Sequence, residues 1–216
     1  MEEPAPESDG KNRMMSLFPD RDPTPQEGSD VAYTPAEACE AIARTYFHGR
    51  PRGLIWEPCA GGGAWLPALR RYGPVVATEL DPAAASVVSG DATQWNALRG
   101  PPPGVEPRWI VTNPPFSCAA ALLRRWLEIP SVEGIGLLLL QGWSVPKGED
   151  EEYRRDLCYG PVARIRHKLD LYPRISFEGP GRKPGNDNRE YSFYEWRKLP
   201  EWRHKSPMTF DLLEWR

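Results

Sequence analysis

Apolar positions along the chain fall into short runs separated by segments of helical spacing. The runs at 54–56, 75–78, 87–89, 109–112 and 135–140 are too short for helices and rich in aliphatic and aromatic side chains, so they predict strands. Helical spacing fills 63–72, 82–86 and 118–128. An earlier helix opens at Thr34, which reads as its cap, with Pro35 in the first turn and Glu37 three residues after the cap. Ala38, Ile42 and Tyr46 give that helix an apolar stripe. The run 135–140 has no polar member, as suits a strand buried on both faces. Past a charged helix near 149–158, the segments 162–169, 174–177 and 191–197 look extended. A Gly, Pro and Asn-rich loop at 178–190 separates the last two, which predicts an antiparallel hairpin. The fold class is therefore α/β, a doubly wound, mostly parallel sheet with a C-terminal antiparallel hairpin.

Composition sharpens this picture. Of 216 residues, 25 are Pro and 19 Gly, a share that suggests disorder, but 40% are hydrophobic and 9 are Trp, which only a folded core accommodates. The expected division is an acidic tail at 1–30, a main domain at 31–200 and an extension at 201–216. Net charge is −3, and it is graded: residues 1–30 hold eight acids against three bases, whereas residues 151–216 hold eleven against fourteen. No apolar run approaches the ~18 residues of a membrane span, and the first thirty residues lack a basic region followed by an apolar one. A cytoplasmic protein with no membrane association is the expectation. Cys39, Cys59, Cys118 and Cys158 include no pair two residues apart, and His48, His167 and His204 are scattered, so neither a metal site nor a disulfide framework is expected.

Candidate chemistry lies at the strand ends. Glu57 closes the first strand and is followed by Pro58-Cys59-Ala60-Gly61-Gly62-Gly63, where glycines let the backbone approach a ligand and a helix start offers N–H groups. A dinucleotide fingerprint needs a further glycine where Leu66 stands, and Glu57 would repel a pyrophosphate. A ligand with an amino group, a sulfonium charge and an adenosine fits better, and S-adenosylmethionine is that ligand. Glu79, at the end of the next strand, is placed to accept the ribose hydroxyls. Asp91, after the run 87–89, could take the exocyclic amine of the cofactor's adenine, or simply cap a turn.

The sequence Asn113-Pro114-Pro115-Phe116 follows another strand. Two prolines end the strand and stiffen the backbone, presenting the Asn113 side chain and the Pro114 carbonyl at the sheet edge. Two acceptors hold the two N–H groups of an exocyclic amine, and Phe116 offers a face for a planar base. With these residues in order, the chain resembles the S-adenosylmethionine-dependent adenine-N6 DNA methyltransferases, of the compact phage type with gamma-type motif order. The resemblance spans about residues 31–197. It implies a Rossmann-like methyltransferase fold, with Tyr33, Thr34 and Pro35 as the cofactor clamp and Glu57, Pro58, Gly61 and Gly63 as the glycine motif. Glu79 and Asp91 become ribose and adenine contacts, and Asn113, Pro114, Pro115 and Phe116 the catalytic tetrapeptide.

The pattern also departs from that family. Larger gamma-type enzymes carry a target-recognition domain after the catalytic one, and about twenty residues follow the hairpin here. Base-sequence choice would fall to loops or to a protein partner. In the loop at 178–190, Arg182, Lys183 and Arg189 could reach DNA phosphate, although a solvated hairpin loop reads the same. Phe177 or Tyr33 could supply a second stacking face, with aromatic core packing the alternative. Trp65, Trp95, Trp143, Trp202 and Trp215 are assigned to core or surface cover. The rival substrates are RNA adenine and a protein glutamine; against the latter, Phe116 stands where that family usually has Tyr. A non-catalytic methyltransferase-like subunit is the other alternative.

Overall fold

The computed structural model describes residues 33–145, 151–160, 163–177, 189–198 and 208–216. The acidic tail, Arg182, Lys183 and Trp202 lie outside the described residues. Among the described residues eight strands form one sheet: β1 (Ile55–Glu57), β2 (Val75–Glu79), β3 (Thr93–Gln94), β4 (Trp109–Thr112), β5 (Gly134–Leu140), β6 (Ile165–Tyr172), β7 (Tyr191–Arg197) and β8 (Thr209–Glu214). Their order is β3-β2-β1-β4-β5-β7-β6-β8. The first five run parallel, β7 runs antiparallel between β5 and β6, and β8 lies parallel to β6 at the edge. The helices are α1 (Ala36–Tyr46), α2 (Leu66–Leu69), α3 (Ala85–Val88), α4 (Ala119–Leu127) and α5 (Glu151–Tyr159). This is the expected mostly parallel α/β sheet with its antiparallel hairpin.

Alternation along the strands explains why the central runs lack polar residues. Ile55, Trp109, Val111, Leu138 and Phe193 enter one apolar cluster with α1 and α2, while Trp56, Ile110, Leu137, Leu139 and Tyr194 enter another with α4. Both faces are covered, so each position along the central strands is worth burying, at roughly 1.5–3 kcal/mol for a fully buried large apolar side chain. Gly136 is required by the close approach of β5 and β7, since a Cβ there would overlap the Phe193 ring.

Three local expectations are corrected, and one strand is added. Residues 87–89 are not a strand: the Val87 and Val88 N–H groups both donate to the Ala84 carbonyl in a helical turn, and Val88 is 73% exposed, so no burial favours sheet pairing there. The third strand is instead the short β3. The hairpin's first arm is β6, while 174–177 pair with no strand among the described residues; Pro173, lacking an N–H, follows Tyr172 and ends the ladder. Thr34 does not cap α1. Pro35 takes that position, and the buried Thr34 hydroxyl has no partner. Finally, part of the C-terminal extension is β8, which the sequence pattern did not reveal. Trp215, just beyond it, packs into the α1 cluster and donates its indole N–H to the Pro173 carbonyl at 2.5 Å.

Candidate active site

The C-terminal ends of β1, β2 and β4 lie side by side, and Glu57, the glycine turn, Glu79 and the segment Asn113–Phe116 meet there, with Tyr33 over the turn. Glu57 closes β1 and is fully buried. Its Oε1 accepts the Thr112 hydroxyl at 2.5 Å and the Cys59 N–H at 3.1 Å, while its Oε2 has no partner. Burial pushes the carboxyl up to about 8, because a charge without water is costly; the two hydrogen bonds oppose that shift, and the nearby Glu79 adds to it. The group therefore stands ready for a cation, whose charge would draw the proton off.

After Glu57 the chain turns through Gly61 and Gly63, which adopt φ of 49° and 81°, a region that favours glycine. The Gly61 N–H donates to Glu79 Oε2 at 2.7 Å, and Glu79 Oε1 accepts the N–H groups of Leu80 and Asp81. Three backbone donors thus fix Glu79 at the end of β2, against the glycine turn. Tyr33 lies over the same turn, its ring 3.0 Å from where a Cβ on Gly61 would stand. Any larger residue at Gly61 would displace it. Burial raises the Tyr33 hydroxyl, and the negative charges of Glu79 and Asp81 raise it further. Thr34 and Pro35 follow directly, so the clamp segment and the glycine loop meet.

Thr112 is the last residue of β4, and its bond to Glu57 joins the glycine side of the site to Asn113-Pro114-Pro115-Phe116. Pro114 is buried; Asn113, Pro115 and Phe116 are half-buried. The Cys118 N–H donates to the Pro115 carbonyl at 3.2 Å, turning the chain into α4. Phe116 touches both apolar clusters, at the sheet edge where they meet. Its ring lies 5.9 Å from Tyr191, and Tyr191 packs edge-on against Phe177 at 4.5 Å.

Two expected contacts are placed differently. Asp91 precedes β3 instead of following a strand; it is exposed, paired with Arg70 at 3.0 Å and hydrogen-bonded to Ser89. Those partners, Arg70 first, hold its carboxyl below the usual range. Gln94 and Trp95 occupy the strand end instead. Phe177 is 2% exposed and enclosed by Tyr191, so its face is not open for stacking. Arg189 is exposed beside Glu190, whose carboxylate pairs with Arg174 at 2.9 Å. Sequence reasoning missed Thr112 and Tyr191. A polar residue ending an apolar strand next to Asn113 was the available signal for the first; nothing local marked the second.

Among the described residues no group of His, Cys, Asp and Glu could hold a metal, and no helix is long and apolar enough to cross a membrane. None of the four cysteines forms a disulfide.

No family model and no curated protein matches the chain. Solved structures do. A methyltransferase subunit of a type I restriction-modification system from Streptococcus thermophilus superposes with a TM-score of 0.60 at 16% identity, over 80% of this chain and 46% of that one. A Pyrococcus horikoshii protein assigned as an RNA methyltransferase gives 0.57 at 17% identity, over 78% and 87%. The 23S rRNA methyltransferase ErmE gives 0.53 at 18% identity, over 77% and 70%. The chain has the Rossmann-like methyltransferase fold. It spans less than half the length of the restriction-modification subunit.

Proposed function

We propose that this protein is an S-adenosylmethionine-dependent methyltransferase acting on the exocyclic N6 amine of adenine in DNA. The observation that carries the reading is the Thr112–Glu57 hydrogen bond, which ties a buried carboxylate beside a glycine turn to the residue preceding Asn113-Pro114-Pro115-Phe116. The cofactor fits the residues present. Glu57 Oε2, buried without a partner, suits its ammonium group; Gly61 and Gly63 allow close backbone approach; Glu79, held at the strand end, suits the ribose hydroxyls. When bound, the cofactor supplies a methyl group activated by a sulfonium charge.

This chain's own residues supply position. The Asn113 side chain and the Pro114 carbonyl accept the two N–H groups of the amine, orienting its lone pair, and Phe116 takes one face of the extruded base. Alignment and charge placement account for the rate; the amine nitrogen, once alkylated, gives its extra proton to solvent. Base-sequence choice is assigned to loop residues such as Arg182, Lys183 and Arg189 or to a protein partner.

Incubation with methyl-labelled cofactor and separate DNA and RNA pools tests the reading. Label should enter DNA as N6-methyladenine and be lost with Asn113→Ala. Label in RNA alone would replace DNA by RNA as the substrate, and label in neither pool would refute the assignment.

A further inference from the structure

Trp65 opens α2 two residues after Gly63, and it is 3% exposed. Its indole N–H meets no acceptor. Buried indole N–H groups ordinarily find a partner, and a phenylalanine would offer an apolar ring here without a stranded donor. Packing alone therefore does not account for tryptophan at this position.

Two other buried polar atoms of the candidate site have no partner, Glu57 Oε2 and the Thr34 hydroxyl. The start of α1 links the segments that carry them. Trp65 shares an apolar cluster with Ala38 and Cys39 of the first turn of α1. The Cys39 thiol donates to the Thr34 carbonyl at 4.0 Å, and the Glu57 charge acts on that thiol. Tyr33, adjacent to Thr34, covers Gly61 and Gly62. One acceptor and two donors complement an α-amino acid head, which carries an ammonium and a carboxylate.

We propose that Trp65 is a cofactor-binding residue, donating its indole N–H to the carboxylate of the cofactor's amino-acid head beside the Thr34 hydroxyl, while Glu57 receives the ammonium. The assignment rests on the cofactor reading above and adds a residue to it. It also gives the binding of the head a direction, since donors and acceptor stand on different elements.

The test compares two ligands by calorimetry, S-adenosylmethionine and its decarboxylated analogue, on wild type and Trp65→Phe. The variant should bind S-adenosylmethionine about tenfold more weakly, the scale of one hydrogen bond to a charged group, and the decarboxylated analogue as wild type does. Equal losses for both ligands, or none, would overturn the proposal while leaving the cofactor reading standing. Wild type that binds neither ligand would remove the cofactor reading and this proposal together. Independently of the variant, the Trp65 indole resonance of ¹⁵N-Trp-labelled wild type should move downfield with S-adenosylmethionine and not with the decarboxylated form. The same shift with both ligands would also overturn it.

Discussion

A single side chain shows how function and stability pull apart at this site. Glu57 ionises at about 4.5 in the unfolded chain and at about 8 when folded. Between those values the folded state holds the extra proton, so the Glu57 contribution to stability is greatest below pH 4.5 and falls as pH rises toward 8, by up to about 1.4 kcal/mol per pH unit. Glu57→Gln mimics the protonated form. Thermal melts of the ligand-free variant should lose that slope and lie above wild type at pH 9, while calorimetry shows cofactor affinity down at least tenfold. A wild-type melting temperature flat between pH 5 and 8 would contradict the raised carboxyl. Asn113→Ala acts differently: transfer should fall by a factor of about 1,000 or more, the scale of lost transition-state positioning, with cofactor affinity within twofold of wild type. Residual transfer near the wild-type rate would take Asn113 out of the chemistry.

Between elements, the coupling runs through Thr112. Thr112→Val keeps the volume of the β4 end and removes the hydroxyl from Glu57, so the carboxyl should rise further and cofactor affinity at pH 7 should fall several-fold, recovering toward pH 9. Affinity that is unchanged with pH would show that the two strand ends act independently. The glycines and prolines are legible at this scale for local reasons: Gly61 and Gly63 need positive φ, and Pro114 and Pro115 stop β4, both properties of the residue alone. The run 87–89 misled because valines favour strands only where a sheet buries them, and Val88 points to water. The hairpin shifted for a different reason: Leu169, Leu171, Ile175 and Phe177 all join one apolar cluster, so burial does not distinguish the two segments, and Pro173, which has no N–H to donate, ends the ladder after Tyr172.

Across the whole molecule, the N-terminal helix is fastened to the C-terminal half. Arg50, just past α1, holds Glu195 of β7 through two hydrogen bonds of 2.6 and 2.8 Å, and its guanidinium lies 4.1 Å over the Tyr46 ring. Glu195 is 4% exposed, so Arg50→Ala strands a buried charge and should cost about 3–5 kcal/mol in denaturant melts. A loss below about 1 kcal/mol would mean that Arg197, 3.1 Å from the same carboxylate, suffices alone. Trp215 closes the same face from the other terminus.

The sequence by itself determined the alternation of strands and helices, the glycine turn and the proline-stiffened tetrapeptide, because hydrophobic period and backbone stereochemistry are local. Only the tertiary structure decided which groups share the site. It joined Thr112 to Glu57, set Tyr33 on Gly61, tied Asp91 to Arg70, enclosed Phe177 behind Tyr191, and left the Trp65 indole N–H without a partner. Each of these depends on strand order and helix packing; the paired residues stand between 21 and 55 positions apart, except for Phe177 and Tyr191, which are 14 apart. No pattern read along the chain contains that proximity.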